Sequence, residues 1–231
     1  MWLDDHGWWV LQVVFRSSGW RKFIGLEAAV DFLWDDRDFL AYSWWRRNPD
    51  GGSPDVRLRD AAGSEYGLEV DDYADESLLR ADLRHLADRA VQEVDAYRAR
   101  FRTLDDWVRV LTKRKETRHV NFYSDGIFRH TAIVCGLAGH RKLAERYFDR
   151  EHEILTRAPE PAGTYYYSQG ELQLVDVSIV RPDDDDRLRA DRNRELKSRL
   201  AHPDQFRDEI EQAVRRFRSR VRLPDTPIAF E

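Results

Sequence analysis

Apolar and polar residues alternate with a period of two over the first third of the chain. In residues 8–16, Trp9, Leu11, Val13 and Phe15 form one wholly apolar face, and Trp8, Val10, Gln12, Val14 and Arg16 form a mixed one. Ser17-Ser18-Gly19 marks a turn. Beyond it Ile24, Leu26, Ala28, Val30, Phe32 and Trp34 resume the apolar face, opposite an amphipathic set of Phe23, Gly25, Glu27, Ala29, Asp31 and Leu33. The period predicts a half-buried antiparallel hairpin. Asp35-Asp36-Arg37-Asp38 is the next turn and FLAYSWW a third strand. Asn48 to Pro54 (NPDGGSP) reads as a loop. Val56–Arg59 and Glu65–Val70 alternate around Ala61-Ala62-Gly63 as a second hairpin, with Tyr66, Leu68 and Val70 inward. Up to five strands therefore precede residue 71.

The period then lengthens. Leu79, Leu83, Leu86, Ala90, Val94, Tyr97 and Phe101 recur every three or four residues, which predicts an amphipathic helix of about 25 residues. Asp75 or Ser77 is placed to cap it. Thr103 and Asp106 have the spacing of a capping box for a short helix through Leu111, with Lys113, Arg114 and Lys115 where they complement its dipole. Ser124-Asp125-Gly126 opens a helix carrying Ile127, Phe128, Ile133, Val134 and Leu137, which Gly139 ends. Leu143, Ala144, Tyr147, Phe148, Ile154 and Leu155 mark a second helix, making a compact helical hairpin. That pair has the look of one tetratricopeptide unit, but no 34-residue period recurs. Residues 158–163 (APEPAG) read as a linker, and TYYYSQGELQLVDVSIV as a hairpin around Gln169-Gly170. Helices follow from Pro182 and from Pro203, the last with Phe206, Ile210, Val214, Phe217 and Val221 on one face.

Strands first and helices afterwards predict an α+β fold, an N-terminal antiparallel β-meander packed against a C-terminal helical layer. The expected organisation is a single domain over 1–231. It has a sheet in 1–70, an amphipathic helix and helical hairpin in 71–157, and a hairpin and two helices in 158–231.

Composition narrows the function. Trp2, Trp8, Trp9, Trp20, Trp34, Trp44 and Trp45 are seven of the eight tryptophans, and only Trp107 lies beyond residue 45. A net charge of −5 provides no global attraction to nucleic acid or an anionic membrane. A lone Cys135 within TAIVCGLAG excludes a disulfide framework and reads as a buried apolar residue. No secretory signal or membrane-length apolar run is evident, so a cytoplasmic protein is expected.

Two clusters combine aromatic and basic residues, Trp20-Arg21-Lys22 and Trp44-Trp45-Arg46-Arg47. The mixture suits a protein interface and also the stacking grooves that hold single-stranded nucleic acid. It suits best a sheet whose alternate indoles are core and whose arginines end strands, and nucleic acid least, given the acidic net charge. His119, His130, His140 and His152 lack metal-site spacing, and neighbours in Glu151-His152-Glu153 point to different helix faces. Asp183–Asp186 read as a helix start. No nucleophile elbow, phosphate loop or dinucleotide fingerprint is present. No residue stands out as catalytic, and no metal or cofactor is expected.

LDDHGWWVLQVVFRSSGWRKFIGLEAAVDFLW, with its Ser18-Gly19-Trp20 turn, and TAIVCGLAGHRKLAERYF resemble the bacterial family known as domain of unknown function 4304. The likeness extends over residues 3–155, although members carry a helix before the first strand and Met1 here lies close to it. It implies an accessory or immunity-like protein and no catalytic residues. The leading expectation is a non-enzymatic protein-binding module, an immunity or regulatory partner, using Trp20, Arg21, Lys22, Trp44, Trp45, Arg46 and Arg47. One alternative is a small hydrolase-like enzyme assembled from dispersed residues such as Glu69, His85, His119, Asp125 and His130. Another is single-stranded nucleic acid binding through the Trp/Arg clusters.

Overall fold

The computed structural model describes residues 2–18, 23–34, 68–69, 76–112, 126–157, 160–168, 171–180 and 184–230. It is an α+β protein in two compact units. Unit 1 comprises residues 1–125 and 207–231, and unit 2 residues 126–206.

Unit 1 holds an antiparallel sheet in the order β1 (Trp2–Asp5), β2 (Trp9–Ser18), β3 (Phe23–Phe32) and β4 (Leu68–Glu69). Trp9 pairs with Phe32, Leu11 with Val30, Val13 with Ala28 and Phe15 with Leu26. This register places the apolar sets of the two strands on one face, because a slip of one residue would bring apolar positions opposite polar ones. The expected half-burial is exceeded. Every residue from Gly7 to Val13 and from Val30 to Trp34 is buried, so the sheet is covered on both sides here. On the mixed face, Gln12 donates from Nε2 to Asp31 Oδ2 at 3.5 Å. Leu68–Glu69 pairs with β3, through Ile24 and Phe23. The expected strand at 39–45 and the expected partner at 56–59 lie outside the described residues.

β1 is the element that alternation failed to predict. Two of its four residues are Asp, and their counter-charges lie far along the chain.

The helix α1 (Glu76–Arg100) has the expected 25 residues and lies against β3. Leu86, Ala90, Val94 and Tyr97 are buried, but Leu83 is not: it is 40% exposed. Ser77 lies inside the first turn of α1 rather than before it. The capping box of α2 (Leu104–Thr112) is reciprocal. Asp106 N donates to Thr103 Oγ1 at 3.2 Å, and Asp106 Oδ2 accepts from the amides of Thr103 at 3.2 Å and Arg102 at 3.1 Å.

Leu104, Trp107, Val108 and Leu111 of α2 are buried. Trp107 completes an aromatic core with the sheet. It stacks on Phe101 at 3.9 Å and meets Trp9 at 5.0 Å and Phe32 at 5.1 Å edge-on. Trp8, Phe32 and Trp34 lie nearly parallel, with Trp8–Trp34 centroids 5.4 Å apart and Phe32–Trp34 centroids 4.9 Å apart. Trp8, Trp9, Trp34 and Trp107 are thus core residues, while Trp2 is 40% exposed.

Unit 2 begins with α3 (Ile127–Leu137) and α4 (Arg141–Leu155). Between them Gly139 N donates to Gly136 O at 3.1 Å and His140 N to Cys135 O at 2.8 Å, the double bond of a Schellman cap. A ribbon of β5 (Glu160–Ser168) and β6 (Glu171–Val180) follows. The strand starts at Glu160, so most of the expected linker at 158–163 belongs to β5. Pro161 is tolerated because both strands of a two-stranded ribbon are edges. Register places positions 161, 163, 165 and 167 opposite 179, 177, 174 and 172, with a shift at Thr164/Tyr165. All eight residues are of apolar, glycine or tyrosine type. The extra residue in β6 joins Leu172 and Leu174, of one parity, to Val177 and Ile179, of the other. The helix α5 (Asp184–Arg199) begins within the acidic run, and α6 (Pro203–Arg220) begins at its proline and extends into unit 1.

Candidate functional site

The β1–β2 turn of unit 1 gathers charge. Arg98 of α1 donates from Nε to Asp4 Oδ2 at 3.0 Å and from Nη2 to Asp4 Oδ1 at 2.5 Å. His6 Nε2 lies 2.7 Å from Asp4 Oδ2, and the imidazole stacks flat on Trp9 at 3.9 Å. Asp5 faces the other way. Arg218 of α6 donates to it from Nη1 at 2.8 Å and from Nη2 at 2.7 Å, a bidentate pair, and reaches the Gly7 carbonyl at 2.9 Å and the Pro224 carbonyl. Gly7 N and Thr226 Oγ1 also donate to Asp5, both at 2.9 Å. A Cβ at Gly7 would run into the Pro227 carbonyl, and φ there is +82°, so only glycine fits. The turn is a clamp tying the sheet edge to α1, α6 and the tail.

Burial pushes both carboxyls up. The hydrogen bonds more than offset it: Arg98 and His6 at Asp4, and Arg218, Gly7 and Thr226 at Asp5, hold them below the usual carboxylate range. A folded-state value below the unfolded one contributes stability that is present above about pH 4 and lost as pH falls through the folded value. The urea midpoint of unit 1 is therefore expected to hold from pH 7 to about 5 and fall below about 4. Asp5→Asn should flatten that acid limb, and an unchanged limb in the variant would refute the assignment.

The Asp-Asp-His step was not singled out in the sequence because its partners lie 94 and 213 residues away. The chemistry of the clamp is structural. His6 and Asp4 have the contact by which a carboxylate orients an imidazole, but Asp4 is already committed to Arg98.

Unit 2 holds a second polar group. His130, Glu151 and Asn193 are 1%, 3% and 1% exposed. The Arg189 guanidinium stands 3.9 Å from Glu151 and 3.8 Å from Asp186. Neither amide atom of Asn193 has a hydrogen-bond partner. Asn193 lies between the buried Ala190 and Leu196 of α5, in a seam that Leu200 continues just beyond the helix, a signal that was legible in the sequence. Thr131 donates its hydroxyl to Ile127 O at 2.8 Å. Cys135 is fully buried, and burial pushes its thiol up to about 12; it is no nucleophile at neutral pH.

The residues expected from sequence to bind a partner, Trp20, Arg21, Lys22, Trp44, Trp45, Arg46 and Arg47, lie outside the described residues. So do His119 and Asp125 of the dispersed-enzyme alternative. Of its remaining members, Glu69 lies in β4, His85 is exposed on α1, and His130 is buried in unit 2. In the triplet at 151–153, Glu151 is buried while Glu153 is exposed and takes Arg150 at 2.6 Å. Among the described residues no group of three or more His, Cys, Asp or Glu is placed to hold a metal ion, and no helix is long and apolar enough to cross a membrane.

No protein-family model matches the chain, and comparison with curated proteins and with solved structures returns no match.

Proposed function

We propose that this protein is a non-enzymatic protein-binding module, an immunity or regulatory partner acting in a bacterial cytoplasm. The observation that carries the reading is an exposed apolar row on α1. Leu83, Ala87 and Val91 follow one another at intervals of one turn, with Leu83 40% and Val91 47% exposed. The row runs beside the core side, Leu86, Ala90, Val94 and Tyr97, and continues its apolar stripe toward the surface. Arg80, Arg84, Asp88 and Asp95 flank the row, as polar residues rim the apolar centre of an interface. Trp20, Arg21, Lys22, Trp44, Trp45, Arg46 and Arg47 would widen the contact with aromatic and arginine anchors. The net charge of −5 suits a basic partner, whose encounter rate it would raise.

The test is capture by the tagged full chain from a lysate of its source organism, beside the variant carrying Leu83→Asp and Val91→Asp. A stoichiometric partner retained by the native chain and lost from a folded variant is expected. No partner, or equal recovery with both, would refute the reading.

A further inference from the structure

We propose that the β5–β6 ribbon of unit 2 pairs along its β6 edge with β6 of a second copy of this chain, antiparallel about a twofold axis at Val175-Asp176.

The ribbon has two strands, and among the described residues no third strand joins it. Two strands alone are marginal in water, whereas three or more with an apolar face make a stable sheet. Of the ribbon's two edges, β5 carries Pro161, which has no amide donor, while every residue of β6 (Glu171–Val180) has one. The edge suited to a further strand is therefore β6.

The bulge selects that strand. Thr164 pairs with Asp176 and Tyr165 with Leu174, so Val175 has no partner in β5. Along β6, positions 172 and 174 before the bulge share a face with 177 and 179 after it. A regular strand laid along this edge would be in step with that alternation on one side of the bulge and out of step on the other. A second β6, run antiparallel, has its own break at the same level when position 175 of one copy stands opposite 176 of the other. In that register Leu172 stands opposite Ile179 and Leu174 opposite Val177, each pair twice, with all eight positions on one face. Gln173 stands opposite Ser178 on the other face. A shift of one residue mixes the faces along the whole edge, and a shift of two puts the breaks out of level.

Charge fits the same arrangement. Glu171 falls opposite Val180 and Asp176 opposite Val175, so no like charges are directly opposed. The two Asp176 positions meet diagonally across the axis, the one unfavourable approach. A ten-residue edge is about 34 Å long and about 10 Å deep, so pairing hides roughly 700 Å² over both copies. Standing interfaces bury about 1,200 Å² or more. The area therefore fits a reversible dimer that forms with rising concentration.

Sedimentation velocity of the full chain over a concentration series, with oxidation of single-cysteine variants, tests the pairing. The native chain is the control, since its Cys135 is buried. A reversible dimer is expected. Asp176→Asn should tighten it by removing the charge approach at the axis, and Val175→Pro should weaken it at least tenfold. Proline at 175 spares the ladder within the ribbon, because that position has no partner there. Asp176→Cys should oxidise to a covalent dimer, its two positions lying about 6 Å apart across the axis. Ser178→Cys alone should not, its copies standing about 17 Å apart along the ladder, but a mixture with Gln173→Cys should. The proposal is overturned if the native chain sediments as a monomer at every concentration, if Val175→Pro dimerises like the native chain, or if Ser178→Cys links to itself as readily as Asp176→Cys. The cysteine pattern reads the register even where Val175→Pro disturbs the ribbon. The outcome is independent of partner capture by α1, which belongs to unit 1.

Discussion

Replacing Arg218 with alanine is expected to lower the stability of unit 1 by about 3–5 kcal/mol, the range for breaking a buried ion pair by removing one partner. The Arg218 side chain is 6% exposed and that of Asp5 19%, so water cannot replace what is lost. Removal strands the Asp5 carboxylate and leaves the Gly7 and Pro224 carbonyls without their cation. Urea unfolding followed by tryptophan fluorescence is the measurement. All eight tryptophans fall in residues 1–125 and therefore report on unit 1. Pairing Arg218→Met with Asp5→Asn should recover part of the loss, because neither variant then buries an unmatched charge. A loss below about 1 kcal/mol for Arg218→Ala would place the pair with exposed salt bridges and refute the clamp.

Trp107→Ala carries a comparable expectation, a loss of about 3–5 kcal/mol for truncating a buried aromatic side chain. Trp107 is 1% exposed and is bounded by Trp8, Trp9, Phe32 and Phe101. It joins α2 to the sheet, so its removal leaves a cavity between two elements rather than within one. Trp107→Phe retains part of the stacking on Phe101 and should cost less than the alanine variant. Equal losses would show that ring area is not what the site requires. A loss confined to a few tenths of a kcal/mol for the alanine variant would mean that the site collapses without cost.

Local periodicity carried the reading of this sequence as far as local physics reaches. The β2–β3 register keeps together two apolar sets that a one-residue slip would separate. The α2 capping box rests on residues three apart, and the start of α6 on its proline. Asp4 and Asp5 were opaque for the converse reason. Carboxylates in a strand look like a turn until Arg98 and Arg218 are brought beside them. Pro161 and Gly163 misled in the same way, because a ribbon edge accepts residues that a central strand refuses. Leu83 fits the helical period as well as Leu86 does, and period alone does not say how wide a buried stripe is. Of the candidate sites, Asn193 was visible as a polar break in an apolar seam. Arg189, which stands 3.9 Å from Glu151 of α4, was not, since the approach of two helices leaves no mark in either one.

Unit 2 is continuous in sequence, whereas unit 1 is completed only by residues 207–231. On a ribosome, therefore, the second unit is fully synthesised before the first. The aromatic strands emerge before unit 2 and wait for Arg218, Thr226 and Phe230, which follow it. Throughout that interval the nascent chain displays its most adhesive segment without its fastening. Cellular yield should then depend on chaperone capacity and on the speed at which residues 207–231 are translated more than on the folded molecule's melting temperature.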